Sequence, residues 1–200
     1  MRFYGLSARI YDYTLSWLFF GNEKKIRSNV TDLIPNKKLK ILDIGCGTGS
    51  QLIEIKIYRK NAECYGIDSS KDMLEISKNK AKKINLQINF QQQNYENLKF
   101  KSNFFDIVTA FLALHETNFG TRTKAIKEIK RVLKKTGKLI LVDYEKTEGI
   151  VKSIQKIIFF FLEPFGKNFV ETKEKAFSTF KKLSSQRILG GALTINEYKK

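Results

Sequence analysis

The sequence predicts an α/β fold, a doubly wound and mostly parallel sheet with helices on both faces. Apolar runs of strand length alternate along the chain with segments of helical periodicity, the order that builds parallel strands covered by helices. A glycine-rich turn, Gly45-Cys46-Gly47-Thr48-Gly49, stands between the first such run and the helix after it. Residues 104–112 are nearly all apolar, as a central strand buried on both faces must be. At 200 residues the chain is long enough to bury a core without disulfides or metals, and one domain over 1–200 is expected.

Residues 8–20 and 22–34 read as two N-terminal helices, the second carrying Ile26, Val30, Leu33 and Ile34 on one face. Residues 1–35 are expected to form a helical lid, ended by Pro35-Asn36-Lys37-Lys38. A first strand follows at 39–44, a helix from near Gly49 toward Arg59, and a second strand at 62–67. Ser69-Ser70-Lys71-Asp72 has the form of a capping box, after which Met73, Ser77, Ala81 and Ile84 recur at helical spacing. Strands are predicted at 86–92 and 104–112. Ala125, Ile126, Ile129, Val132 and Leu133 mark the next helix, with Gly137 closing it and a fifth strand at 138–143. Residues 150–171 are apolar and aromatic, 172–183 suit a helix, and 188–198 form a last strand interrupted by Gly190-Gly191.

No apolar stretch approaches the roughly 18 residues that a membrane-spanning helix needs, and no signal peptide is read at the N-terminus. The two cysteines, Cys46 and Cys64, give neither a disulfide framework nor a metal-ligand spacing, so a reducing cytoplasm is expected and no metal. The formal charge of +17 invites an anionic membrane surface or a nucleic acid as partner. Yet the lysines pepper every segment, and Lys, Asn and Ile are abundant together, as a general compositional drift gives with no partner involved. Peripheral contact with an anionic membrane is the stronger of the two expectations.

The stretch Asp43-Ile44-Gly45-Cys46-Gly47-Thr48-Gly49 carries the chemistry. Its spacing is G-x-G-x-G, with Ser50 where a dinucleotide site places a third glycine, and Asp68 follows at the end of the second strand, where an acid hydrogen-bonds a ribose. An adenosine compound is implied, with the helix N-terminus facing a carboxylate rather than a pyrophosphate. Removing Asp68 is therefore expected to abolish ligand binding and to leave the fold intact.

Residues 41–49 resemble the first motif of class I S-adenosylmethionine-dependent methyltransferases, and Gly66-Ile67-Asp68-Ser69-Ser70-Lys71-Asp72-Met73-Leu74 resembles their second. Residues 91–98, Phe104-Phe105-Asp106-Ile107-Val108 and Leu133-Lys134-Lys135-Thr136-Gly137-Lys138-Leu139 are similar to the later motifs, so the resemblance covers about 39–145. Tyr11-Asp12, Leu18-Phe19-Phe20-Gly21 and Ile26-Arg27, with residues 188–195, are similar to the ubiquinone and menaquinone C-methyltransferases. The resemblance implies a seven-stranded type of sheet and S-adenosylmethionine as cofactor. Gly45, Gly47, Thr48 and Gly49 would lie around its methionine portion, Asp68 on the ribose hydroxyls, Asn94 and Tyr95 beside the adenine, and Phe111 near the methionine amine, with Asp43 and Ser69 also binding the cofactor. Asn94 stands where the family has Asp, which keeps an acceptor but loses a charge-assisted bond. Leu183-Ser184-Ser185-Gln186-Arg187 leads directly into Ile188, so the family's C-terminal hairpin is expected to be shortened or missing.

Methyl transfer from a sulfonium is an in-line displacement with an activated leaving group, so positioning contributes most and no catalytic triad is expected. His115, the only histidine, follows the fourth strand on the ligand-binding edge and is the candidate general base. Tyr4, Tyr11 and Tyr13 are candidates to cover the cofactor. Trp17, Leu18, Phe19 and Phe20, with Ile157, Ile158, Phe159, Phe160, Phe161, Leu162 and Phe165, suggest an apolar lid over a small hydrophobic acceptor such as a quinone or lipid, within a substrate-side region at 146–200. The alternatives are an RNA or protein methyltransferase, and a non-catalytic cofactor-binding partner subunit.

Overall fold

A computed structural model describes residues 19, 21–149, 151–153, 155 and 165–200. Its strands form a seven-stranded sheet in the order β3-β2-β1-β4-β5-β7-β6, the doubly wound arrangement expected. The chain divides into two compact units, Met1–Asn94 and Tyr95–Lys200.

In the first unit, α1 (Glu23–Asp32) precedes β1 (Lys40–Ile44), α2 (Ser50–Tyr58), β2 (Glu63–Asp68), α3 (Lys71–Lys83) and β3 (Asn89–Gln92). β2 pairs in parallel with β1 (Ile44↔Ile67) and with β3 (Asp68↔Gln92). Ile41, Leu42 and Ile44 of β1, Leu52 and Ile55 of α2, and Ile67 of β2 lie wholly inside, so each helix covers the strands it connects. Ile26 and Val30 are buried as their periodicity predicts; the helix expected over 22–34 ends at Asp32, so Leu33, half-buried, and Ile34, buried, lie past its last turn. The Gln51 amide of α2 donates to the Arg27 carbonyl and the Thr31 hydroxyl of α1, which fastens the two helices.

α3 departs from expectation at both ends. Ser70 is its N-cap, accepting from the Met73 N–H at 3.3 Å, where the sequence suggested a box from Ser69 to Asp72. Ile84 lies past the last turn and is 49% exposed, because the helix ends at Lys83.

The second unit holds β4 (Phe105–Phe111), α4 (Phe119–Val132), β5 (Leu133–Tyr144), α5 (Gly166–Phe177), β6 (Lys181–Ile188) and β7 (Leu193–Lys199). β4 and β5 pair in parallel, whereas β7 runs antiparallel to both β5 and β6. α4 passes into β5 without a loop. Gly137 therefore does not close the helix; it lies inside β5, where the register to β4 jumps between Phe105↔Leu133 and Ile107↔Lys138. Space dictates glycine there, since a Cβ would stand 2.9 Å from the Lys134 carbonyl oxygen.

The C-terminal hairpin, expected to be shortened or missing, is complete. β6 is eight residues long and pairs with β7 from Lys181↔Lys199 to Ile188↔Leu193. It escaped the sequence reading because Lys181-Lys182-Leu183-Ser184-Ser185-Gln186-Arg187 is an exposed edge strand with no apolar face to alternate. The helix expected at 172–183 runs instead over Gly166–Phe177, with Phe169, Lys173 and Phe177 as its buried stripe. A charged residue inside that stripe masks its period. The last strand, expected from Ile188, begins at Leu193, after a turn in which Leu189, Gly190 and Gly191 all take positive φ.

Candidate active site

In the first unit the sequence-predicted cofactor residues gather at the C-terminal ends of β1 and β2, the edge where open α/β sheets bind ligands. Asp43 is buried near the end of β1. The chain then turns through Gly45, Gly47 and Gly49 at φ of 61°, 52° and 77°, left-handed values that a side chain disfavours. Gly49 is the N-cap of α2, and a Cβ on it would lie 2.8 Å from the Ser77 Cβ of α3. Lys80 of α3 ties the loop from the side, its ammonium donating to the Thr48 and Ser50 hydroxyls. No sequence signal marked Lys80, since nothing in a helical pattern tells which lysine reaches across.

Asp68 faces the loop. Its Oδ2 accepts from the Gly47 N–H at 2.8 Å and its Oδ1 from the Ser70 N–H at 2.8 Å. Burial pushes this carboxyl above the usual carboxylate range, against the pull of the Ser70, Gly47 and Ser69 N–H groups. Asp68 thus also accepts hydrogen bonds from the protein's own backbone, at Gly47 in the loop and at Ser70. Ser69 and Asn94 are exposed, and Asn94 follows Gln93, whose N–H donates to the Asp68 carbonyl oxygen at 3.1 Å. Burial, with Asp43 and Asp68 nearby, pushes the Cys46 thiol well up, so it stays protonated and offers no nucleophile.

The second unit contains Tyr95, Phe111 and His115. Tyr95 is half-buried in the turn after β3. Phe111 ends β4, and Leu112 after it takes φ 54°, a strained value for a bulky residue, while its N–H donates to the Val142 carbonyl at 2.8 Å. The chain then forms a single turn of 3-10 helix, Leu114–Glu116, that presents His115. His115 is buried, with Nδ1 2.7 Å from Oδ1 of Asp143 at the end of β5. The sequence reading passed over Asp143; its place at the C-terminal end of a parallel strand was the available signal. Of the proposed lid, Phe19 is buried and Phe165 is 44% exposed. Tyr4, Tyr11, Tyr13, Trp17, Leu18, Phe20 and residues 157–162 lie outside the described residues.

The glycine loop and the acid facing it fit an adenosine-bearing cofactor: the turn has no Cβ to collide with a ligand, and the carboxylate keeps lone pairs for hydroxyl donors. Residues 35–187 match the methyltransferase domain family. The chain belongs to that family. The methyltransferase is 33% identical over 177 residues to the demethylmenaquinone methyltransferase of Staphylococcus haemolyticus, a match covering 86% of this chain and 72% of that protein. It is 36% identical over 113 residues to an uncharacterised methyltransferase of Bacillus subtilis, covering 56% of this chain and 43% of the relative, so it spans less than half of that protein's length. Among solved structures, a Pyrococcus horikoshii protein superposes with a TM-score of 0.72 at 21% identity over 90% of this chain and 91% of that one. A S-adenosylmethionine-dependent methyltransferase of Methanosarcina mazei does so with a TM-score of 0.70 at 20% identity, over 86% and 96%.

Proposed function

We propose that the methyltransferase transfers a methyl group to a ring carbon of a small apolar quinol, a reduced quinone with a hydrocarbon tail. The observation that carries this reading is the 33% identity to a demethylmenaquinone methyltransferase over 86% of the chain. When bound, S-adenosylmethionine supplies an electrophilic methyl on a sulfonium, which leaves as a neutral thioether with its electron pair. The loop Gly45–Gly49 and Asp43 would hold the methionine portion, Asp68 and Ser69 the ribose, Asn94 and Tyr95 the adenine edge, and Phe111 the methionine end.

A ring carbon that gains a methyl must lose its proton. His115 is the group offered to receive it: Asp143 occupies Nδ1, so a proton arriving at the imidazole goes to Nε2. The surroundings suit an apolar acceptor, since Phe111, Leu112, Tyr144 and Phe169 of the second unit are all buried. The test is incubation of the purified protein with S-adenosylmethionine and reduced demethylmenaquinone bearing a short prenyl chain, read by mass spectrometry. A methylated quinone product, lost or reduced about 10²- to 10⁴-fold in His115→Ala with cofactor affinity unchanged, is expected. Methylation of some other metabolite in cell extract, with none on any reduced quinone, overturns the acceptor assignment.

A further inference from the structure

His115 is held from three elements of the second unit. From β5, the Asp143 carboxylate lies 2.7 Å from Nδ1, and its Oδ1 also accepts the Tyr144 N–H at 2.9 Å. The Tyr144 ring stands edge-on to the imidazole at 4.7 Å. From α4, the fully buried Arg122 clamps the turn that carries the histidine: Nε donates to the Leu114 carbonyl and Nη2 to the Thr117 carbonyl, on either side of His115. From α5, Phe169 presents its ring to the imidazole at 6.4 Å and lies under the Arg122 guanidinium at 4.8 Å, while Thr172 accepts from Arg122 Nη1 at 2.8 Å.

Stability does not account for this arrangement. A carboxylate with no exposure costs several kcal/mol of desolvation, and well-packed apolar residues in its place are often as stable or more so. Oδ2 of Asp143 is buried with no hydrogen-bond partner among the described residues, which adds to that cost. What the pair does achieve is chemical definition: an ionised carboxylate only accepts, so the nitrogen it touches must carry the proton.

We propose that Asp143 is a positioning residue for methyl transfer, fixing His115 as the Nδ1–H tautomer so that Nε2 is the basic nitrogen, with Arg122 holding the turn that aims it. This rests on the reading of His115 as the proton acceptor. In the step it serves, the acceptor's ring carbon bonds the methyl carbon, the bond from that methyl to sulfur breaks with the pair staying on sulfur, and the displaced ring proton passes to Nε2. The imidazolium so formed is stabilised by the Asp143 carboxylate.

His115 is the only histidine, so protein labelled with ¹⁵N-histidine and purified without a histidine tag gives one imidazole spin system. The wild-type spectrum at neutral imidazole is expected to show a protonated Nδ1 and an unprotonated Nε2. In Asp143→Asn the carboxamide can donate to Nδ1, so the proton is expected to move to Nε2. In that variant kcat for reduced demethylmenaquinone should fall about 10²- to 10⁴-fold with KM for S-adenosylmethionine unchanged. A wild-type proton on Nε2 overturns the proposal, and needs no variant to fold. So does a changed tautomer with unchanged kcat, or a kcat loss that follows a loss of Tm while the tautomer stays put. A wrong tautomer with His115→Ala inactive sinks the positioning role alone; the right tautomer with His115→Ala at full rate sinks the proton-acceptor reading beneath it.

Discussion

Asp68 serves the fold and the proposed ribose site with the same two oxygens. Its backbone bonds to Gly47 and Ser70 hold the loop in the shape that a cofactor would meet, and ribose hydroxyls would take lone pairs those bonds leave. Two charge-assisted bonds at about 1.5–3 kcal/mol each make Asp68→Ala weaken S-adenosylmethionine binding by on the order of 10²- to 10⁴-fold. The same variant should also lower Tm, because two loop N–H groups lose their acceptor; Asp68→Asn, which keeps one oxygen, should be milder in both. Calorimetric titration paired with a thermal melt reads the two effects separately, and unchanged affinity in Asp68→Ala would show that this acid is not the ribose anchor. A pH dependence follows from its raised pKa. Because the folded value lies above the unfolded one, protonated Asp68 favours the folded state more than ionised Asp68 does, and that increment is present in acid and lost as pH rises through the folded value. Binding runs the other way: cofactor affinity should fall on acidification, starting above the usual carboxylate range, and this acid limb should be absent in Asp68→Asn.

Gly137 decides a similar question for an element. Read as a helix cap it would need a left-handed φ, which Asn satisfies almost as well as Gly. In the structure it needs room instead, with Leu133 Cδ2 and the Lys134 carbonyl oxygen both 2.9 Å from any Cβ. Gly137→Ala and Gly137→Asn should therefore both cost about 1–3 kcal/mol, a fall in Tm on the order of 5 °C, and a near-normal melt for the Asn variant would restore the cap. The elements that the sequence revealed are those whose buried faces are apolar: β1, β2 and β4 stood at the apolar runs, and α3, its ends apart, at the 3.6-residue period. β6, exposed at every residue but the last, and α5, with Lys173 in its buried stripe, did not. Lys173 is legible only in three dimensions, where its ammonium meets the Tyr144 carbonyl, Glu145 and the Thr194 hydroxyl. The site divides in the same way. The glycine loop and Asp68 are local motifs at fixed spacing, whereas Asp143 and Arg122 reach His115 from 28 residues and 7 residues away by packing that no period encodes.

For the whole chain the formal charge is +17, and among the described residues no helix is long and apolar enough to cross a membrane. Charge alone does not choose a partner, but one end of the first unit adds exposed apolar side chains to it. α2 and α3 both finish at the N-terminal edge of the strands, opposite the glycine loop, and leave Ile57 42%, Tyr58 61% and Ile84 49% exposed. An open groove of about 410 Å³ lies there, lined by Lys56, Ile57, Lys60, Asn85, Leu86 and Gln87, and Lys82 and Lys83 are exposed beside it. Apolar side chains among lysines suit an anionic bilayer, where the chains enter the headgroup layer and each lysine near the surface contributes about 1 kcal/mol. Association with phosphatidylserine vesicles at low ionic strength is therefore expected, weakening as salt shortens the Debye length. Lys60→Gln with Lys83→Gln removes about 2 kcal/mol, roughly a 30-fold loss of partitioning, and both residues lie away from the glycine loop, so S-adenosylmethionine affinity should not change. Co-sedimentation with vesicles of graded phosphatidylserine content measures this. Absence of binding at low salt removes the membrane from this face, and binding equal for neutral and anionic vesicles assigns it to the apolar residues rather than to the charge.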